Sequence, residues 1–301
     1  MIETGWRTVI ADSTSELSCS DGNLVIKTDT IKTVPLAELQ TLLVNSVSTT
    51  LTVDLINELT KNNVRVVLCD QKHNPSCEIS SYSKHTEAAG RLMDQVKWSA
   101  ERKAEIWETV VCQKVNNQIK LLEHLHIDYP EKLNEYLYSV EQNDTTNREG
   151  QAARIYFNRL FGMSFVRHAT DNVNSALNYG YTILLSCTNR ILGVYGYNTE
   201  LGIKHCGRTN RFNLSCDIME PFRPFVDLIA YRNGDKELDW VYKKELISLP
   251  YMPVIYNRTR TKLQTALEDY AMRVLKSMNI NNPELPQMDM NFIEKGIGLV
   301  G

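Results

Sequence analysis

The sequence predicts an α+β protein, with a β-rich N-terminal domain over residues 1–80 and a larger all-α domain over residues 91–280. Three observations predict it. The first eighty residues break into short β-type runs punctuated by turn residues. Beyond residue 90, apolar side chains recur at three- and four-residue steps, the period of an amphipathic helix. A chain of 301 residues also exceeds the ~100–200 residues of a usual single domain.

In order along the chain, Thr8 to Ala11 reads as a short strand. Glu16 to Ser20 and Asn23 to Thr28 are two runs joined across Asp21-Gly22, a strong hairpin signal. Val34-Pro35-Leu36 and Leu42-Leu43-Val44 predict further short strands. Thr52 is placed as the N-cap of a short helix carrying Leu55, Ile56 and Leu59. Val64 to Leu68 reads as a buried strand, and the pattern breaks at His73-Asn74-Pro75. The polar stretch from Ser80 to Glu87 marks a linker, placed over residues 81–90. Three apolar stripes follow: Ala100, Ala104, Trp107, Val111, Val115, Ile119 and Leu122; then Leu177, Tyr181, Leu184, Thr188, Ile191 and Tyr195; then Leu263, Leu267, Tyr270, Val274 and Met278. Each predicts a helix with one buried face. Residues 281–301, with Pro283, Pro286, Gly296 and Gly298, read as a weakly ordered tail.

Composition excludes several classes. The most apolar stretch, Tyr179 to Tyr197, contains Asn189 and Arg190, so no spanning helix is expected. Met1 to Arg7 lacks the basic and apolar regions of a secretory signal. Seven cysteines without any C-x-x-C pair read as reduced thiols, with Cys69 and Cys187 as core fillers, rather than zinc ligands. No G-x-x-x-x-G-K-[ST] motif is present, so no P-loop nucleotide site is expected. The net charge is −3, yet residues 147–225 carry nine basic and five acidic side chains. That local surplus suits a phosphate-bearing ligand, or else simply solvates helix faces.

Chemistry concentrates in that segment. Asp217-Ile218-Met219-Glu220-Pro221 places two carboxylates three residues apart before a proline turn. His205 lies a short loop upstream, and Glu149 stands at a predicted helix start. Carboxylates with one imidazole can hold Mg²⁺ or Mn²⁺, ions that neutralise charge on phosphoryl oxygens during phosphodiester chemistry. Structural roles compete with this reading. Thr146-x-x-Glu149 fits a capping box, which is favoured when Glu149 is taken alone. Pro221 pushes Glu220 out of the helical region, so Glu220 is expected at the mouth of a helix opened by Pro221 and Pro224. Arg223 serves equally well as an internal ion-pair partner or a phosphate ligand.

Five blocks carry a family resemblance: Val34 to Leu39, Val64 to Asp70, Asn147-Arg148-Glu149-Gly150, Asn174 to Tyr181, and Asp217 to Pro224. In this order they resemble the CRISPR-associated integrase family, the first of the two universal spacer-acquisition proteins. The likeness covers almost the whole chain, and the wording from Asn147 to Phe157 looks most like type II-A members. The resemblance implies an N-terminal dimerisation domain (1–80), a catalytic α-helical domain (91–280) and a prokaryotic cytoplasmic protein. It implies a homodimer, two of which flank a small ferredoxin-fold second acquisition protein in a heterohexamer. A type II-A likeness further implies an RNA-guided effector nuclease and a ring-shaped accessory protein as co-workers. The family's metal and catalytic set maps onto Glu149, His205 and Glu220, with Asp217 as a possible additional acid. Lys204, Arg208, Arg211 and Arg223 become candidates for DNA phosphate contacts.

The function the resemblance implies is Mg²⁺- or Mn²⁺-dependent joining of protospacer 3′-OH ends to a CRISPR repeat by transesterification. The alternatives are a structure-specific endonuclease on branched DNA and a non-catalytic DNA-positioning subunit.

Overall fold

The computed structural model describes residues 7–71, 75–79, 87–278 and 284–293, and the chain forms two compact units, Met1–Lys84 and His85–Gly301. The first unit contains β1 (Arg7–Ala11), β2 (Glu16–Ser20), β3 (Asn23–Lys27), β4 (Ile31–Pro35), β5 (Leu39–Val44), β6 (Thr50–Leu51), α1 (Val53–Lys61), β7 (Arg65–Cys69) and β8 (Pro75–Ile79). They form two four-stranded sheets, ordered β1-β5-β7-β8 and β4-β3-β2-β6. In the first sheet β1, β5 and β7 run parallel, with α1 on the crossover from β5 to β7, and β8 closes it antiparallel. In the second sheet, β2 and β3 turn across Asp21 and Gly22, both at positive φ, as a two-residue hairpin needs. Leu17, Leu24, Leu39, Leu42, Leu55, Leu59 and Val66 meet in one core between the sheets and α1. Each such side chain contributes about 1.5–3 kcal/mol on burial. Thr52 caps α1 as expected, accepting a hydrogen bond from the Leu55 amide at 3.2 Å. Of the expected break at 73–75, residues 73 and 74 lie outside the described residues. The strand β8, which follows it, was not anticipated.

The second unit contains α2 (Ala88–Val96), α3 (Ala100–His124), α4 (Lys132–Tyr138), α5 (Arg148–Phe161), α6 (Asn172–Val194), α7 (Asn213–Met219), a 3₁₀ turn (Glu220–Phe222), α8 (Arg223–Asn233), α9 (Trp240–Ile247), β9 (Pro253–Tyr256), β10 (Thr259–Lys262), α10 (Leu263–Ser277) and β11 (Met290–Asn291). The three apolar stripes lie on α3, α6 and α10, and their central members are buried. Ser99, Asp171 and Asp239 cap α3, α6 and α9 through their side chains.

Three expectations need correction. The unit is mostly helical but not all-α, because β10-β9-β11 form a small sheet. The linker placed over 81–90 is already helical from Ala88, while residues 81–86 lie outside the described residues. The C-terminal segment 284–293 is not loosely held. Met288 and Met290 are buried, β11 pairs with β9, and Lys120 on α3 binds Asp289 at 2.5 Å and the Met290 carbonyl at 2.9 Å. Residues 281–283 and 294–301 of that expected tail lie outside the described residues.

Among the described residues no helix is long and apolar enough to cross a membrane. None of the seven cysteines is in a disulfide, and Cys69 and Cys187 are buried as expected.

Candidate active site

The helix α3 is the scaffold of the site. It packs against α4, α5, α7, α8 and the 3₁₀ turn at Glu220–Phe222. Trp107, Lys114 and Asn117 fall at steps of seven and three along it, so they share one face. Asn117 donates to the Pro221 carbonyl at 2.8 Å and so fixes the turn that carries Glu220.

Glu149 reaches this face from the first turn of α5. The expected capping box does not form. Asn147, in the left-handed region, is the N-cap and accepts from the Gly150 amide at 3.2 Å. Asp144 takes the next two amides, Arg148 at 2.7 Å and Glu149 at 3.1 Å. With the helix start satisfied by these residues, the Glu149 side chain is released from capping. It instead accepts a hydrogen bond from Lys114 Nζ at 2.6 Å.

Glu220 arrives from the junction of α7 and α8. Its backbone is right-handed helical (φ −50°, ψ −47°) despite the following proline. The expected exclusion of Glu220 from the helical region is therefore overturned, while Pro221 and Pro224 do stand in the opening turns that lead into α8. Pro221 sits in the first turn of the 3₁₀ segment, where a missing N–H costs nothing. The Glu220 carboxylate is nearly buried, with 4% of its side chain exposed. Its Oε2 lies 2.6 Å from Lys114 Nζ and its Oε1 lies 2.8 Å from Arg223 Nη2. Burial pushes the Glu220 pKa up, but Arg223 and Lys114 outweigh burial and hold it below the usual carboxylate value. For Lys114, desolvation pulls downward, and Glu220 and Glu149 outweigh it, so the ammonium stays charged.

His205 is oriented by Asp217. The fully buried Asp217 carboxylate accepts from the Ile203 amide at 2.6 Å and the Lys204 amide at 3.0 Å through Oδ2. Through Oδ1 it takes the His205 amide at 3.1 Å and His205 Nδ1 at 2.6 Å. This geometry puts the ring proton on Nδ1 and the lone pair on Nε2. The hydrogen bond that His205 donates to Asp217 raises the His205 pKa against desolvation, and the charges of Asp217, Glu220 and Glu149 add to it. Trp107 meets the imidazole edge to face, with ring centroids 5.9 Å apart. Gly202 is required beneath this loop, since a Cβ there would stand 2.2 Å from the His205 carbonyl oxygen and 2.8 Å from Asp217 Oδ2.

A second buried layer supports Arg223. Its guanidinium stacks over the Tyr181 ring at 4.5 Å. Tyr181 and Tyr156 donate their hydroxyls to the buried Asp227 carboxylate at 2.5 and 2.8 Å. Burial pushes the Asp227 pKa up to about 6, against the pull of the two hydroxyls and Arg223.

Among the sequence-predicted residues, Glu149 and Glu220 thus meet on Lys114, with His205 beside them. Asp217 does not join as a further ligand, because both its oxygens are taken by three amides and the imidazole. Arg223 is half-buried and already engaged with Glu220 and Tyr181. Lys204 Nζ binds the carbonyl and side-chain oxygens of Asn143 at 2.8 and 2.9 Å. Arg208 and Arg211 are exposed, and Arg211 makes only a 3.5 Å contact with Glu200. Sequence reasoning missed Lys114, Asp144 and Asp227. The available signal for Lys114 was a lysine seven residues from Trp107 and three from Val111, at the edge of a buried stripe where an unpaired charge is not tolerated.

The family model described as CRISPR associated protein Cas1 matches residues 8–237. The chain belongs to the Cas1 family. A Cas1 relative from Neisseria meningitidis serogroup C (strain 8013), named CRISPR-associated endonuclease Cas1, is 33% identical over 270 residues, covering 87% of this chain and 89% of its own. Another from Francisella tularensis subsp. novicida is 23% identical over 298 residues, covering 88% of this chain and 93% of its own. Among solved structures, the fold resembles a casposase bound to integration product, with a TM-score of 0.74 at 17% identity over 93% of this chain and 92% of that one. It also resembles a CAS1 protein from Thermotoga maritima, with a TM-score of 0.72 at 14% identity over 90% and 97%.

Among the described residues, no three His, Cys, Asp or Glu side chains stand at ion-holding spacing as placed, since the two glutamates share Lys114. The donor chemistry nonetheless fits a divalent cation in a Cas1 chain. Two carboxylates already converge on one positive charge. The buried Glu220 Oε2 has an ion pair but no aligned hydrogen bond. Asp217 behind His205 Nδ1 is the outer carboxylate that metal-binding histidines commonly have.

Proposed function

We propose that this chain is a divalent-metal-dependent DNA integrase, joining the 3′-OH ends of a short DNA to a repeat array by transesterification. The observation that carries the reading is the convergence of Glu149 and Glu220 on one cation, beside an imidazole whose tautomer Asp217 fixes. Family membership supports it, as does the fold shared with a casposase bound to integration product. Glu149, Glu220 and His205 Nε2 would hold Mg²⁺ or Mn²⁺, which supplies a lowered hydroxyl pKa and neutralises charge on the phosphoryl oxygens.

The chain's own residues do the rest. Arg223 keeps Glu220 ionised and aimed, and the Asp227–Tyr181 layer holds Arg223. Asp217 retains the Nδ1 proton of His205, so Nε2 stays a donor of electrons rather than of a proton. Exposed Arg208 and Arg211 bind phosphates and position DNA without reading its sequence. One phosphodiester replaces another, so no nucleotide triphosphate is consumed. The working assembly is a homodimer acting with the small second acquisition protein. A solved Cas6-RT-Cas1–Cas2 complex, which this chain resembles in fold with a TM-score of 0.66, supports that pairing.

The test is strand transfer of a labelled DNA into a repeat by Glu149→Ala, His205→Ala and Glu220→Ala, each checked for folding. All three are expected to lose joining; a folded variant that joins at the wild-type rate removes its residue from the reading. A second reading, endonuclease action on branched DNA, is favoured by the relatives' names. Nicked, unjoined ends as the sole product from a branched substrate would favour hydrolysis.

A further inference from the structure

Among the described residues, Lys114 is the one cation that touches both glutamates. Its Nζ lies 2.6 Å from Glu149 Oε1 and 2.6 Å from Glu220 Oε2, so those two oxygens are separated by no more than twice that distance. Its side chain is 11% exposed, on the helix face that carries the whole site. With Arg223 also on Glu220, two carboxylates face two cations and the set is neutral as it stands. A divalent ion entering this set would make it strongly positive at a nearly buried carboxylate. One resident cation therefore has to leave. Arg223 is fixed by the stack of its planar guanidinium on Tyr181 and by its contact with Glu220. Lys114 has a flexible four-carbon stem and no stacking partner, and its ammonium is a point charge that changes partners at little geometric cost.

We infer that Lys114 is a resident counter-ion. It holds Glu149 and Glu220 together when no metal is bound, is displaced when a divalent ion takes the two carboxylates, and then serves as a phosphate-binding cation of the same site. This inference rests on the metal-dependent reading above and adds to it an exchange of cations. The physical content is competition. An internal ammonium on the carboxylates lowers the apparent affinity for the ion by the free energy of its own ion pairs, and removing it raises that affinity. Lys114 lies on the α3 face that also carries Trp107, the ring neighbour of His205, so its ammonium can stay within the site after it leaves the carboxylates.

The experiment is a Mn²⁺ titration of the full chain, with free Mn²⁺ followed by its paramagnetic resonance signal and melting followed in parallel. Wild type, Lys114→Met, Lys114→Gln, Glu149→Gln and Glu220→Gln are compared without DNA. Lys114→Met and Lys114→Gln are expected to melt lower than wild type in chelator. They are expected to bind Mn²⁺ roughly tenfold or more tightly, and to gain more thermal stability from it. Their DNA joining falls although the metal is held. If Lys114→Met does not fold without metal, recovery of its folded signal on adding Mn²⁺ counts for the exchange, and Lys114→Gln carries the affinity measurement. Mn²⁺ affinity in Lys114→Met and Lys114→Gln that is equal to or weaker than wild type overturns the exchange. The two failures are distinguishable. If Glu149→Gln and Glu220→Gln lose Mn²⁺ while the Lys114 variants match wild type, the metal site stands and the exchange falls. If no variant or wild type binds Mn²⁺ at the site, the functional reading itself fails.

Discussion

Asp217→Asn separates an orienting role from a ligand role at almost unchanged shape. The wild-type carboxylate takes two donors on each oxygen: Ile203 and Lys204 amides on Oδ2, and the His205 amide and Nδ1 on Oδ1. An asparagine has one oxygen, so its NH₂ must face one of these donor pairs in a fully buried place. Turned toward His205, it opposes the His205 amide and forces the imidazole to accept at Nδ1. Turned the other way, it opposes two amides that cannot adapt. The first orientation costs less. It loses one hydrogen bond and weakens three that were assisted by charge, each worth about 1.5–3 kcal/mol. One lost bond of about 2 kcal/mol and three weakened by about 1 kcal/mol each give a total near 5 kcal/mol. For a unit of this size about 2–4 °C accompany each kcal/mol, so the melting transition drops by roughly 10–20 °C. Chemistry fails too, because a ring accepting at Nδ1 carries its proton on Nε2 and has no lone pair to offer there. The assays are thermal melting, strand transfer, and ¹⁵N NMR of the His205 tautomer. His205→Ala is the control. It removes a half-exposed ring and one of the four bonds, and is expected to cost about 1 kcal/mol while abolishing joining. Asp217→Asn melting within ~2 °C of wild type, with Nδ1 still protonated, would refute the reasoning.

Asp227 gives a pH signature. Its folded pKa of about 6 stands above the ordinary Asp value because burial disfavours the charge. The folded state therefore holds this proton more tightly than the unfolded chain. Its stabilising effect is complete below the unfolded pKa and disappears as pH rises to about 6. That swing is roughly 3 kcal/mol, and Asp227→Asn is expected to lack it; urea unfolding of both proteins at pH 4.5, 5.5 and 7 decides, and parallel profiles would count against it. For DNA binding, replacing both Arg208 and Arg211 by Ala is expected to weaken binding and reduce the slope of log K against log salt by about 2. Arg223→Ala is expected to cost stability instead, since its partners are internal; an unchanged salt slope in the double variant would clear both arginines of phosphate contact. Gly202→Ala drives a methyl into the His205 carbonyl and Asp217, so joining is expected to fall below a tenth of wild type, read in the same strand-transfer assay.

What was legible in the sequence was local. The Asp21-Gly22 hairpin, the Thr52 cap and the three helical stripes each depend on residues within a few turns of one another, and each formed as read. The short strands β6, β8, β9, β10 and β11 were not read, because two to five residues carry too little pattern and are held by distant pairing. The Thr146-x-x-Glu149 pattern misled by one residue. Asn147 and Asp144, both at positive φ, take over the helix start and leave Glu149 free. Pro221 misled because its restriction on Glu220 is a preference, outweighed by a junction that α3 holds through Asn117. Glu149, His205 and Glu220 were singled out by residue type and by resemblance. Lys114 was not, since its partners lie far along the chain and only folding brings them to it.

The arrangement of charge explains why the basic surplus of residues 147–225 overstates what a ligand meets. Arg148 stacks on Tyr136, Arg167 on Tyr181, and Arg223 binds Glu220, so each of these half-buried cations already has a partner within the unit. Lys114, outside that segment, enters the site from α3 and neutralises what Arg223 leaves over. Inner cations thus keep two close carboxylates ionised without repulsion, and exposed Arg208 and Arg211 remain for solvent or DNA. A site built this way has two ranks of positive charge with different tasks. Within the inner rank Arg223 stays on Glu220 and sets its geometry, while Lys114 yields to a stronger cation. The outer rank draws in a polyanion at a distance that salt controls. Removing Arg223 should change metal affinity and stability with little effect on the salt slope, and removing an outer arginine should do the reverse.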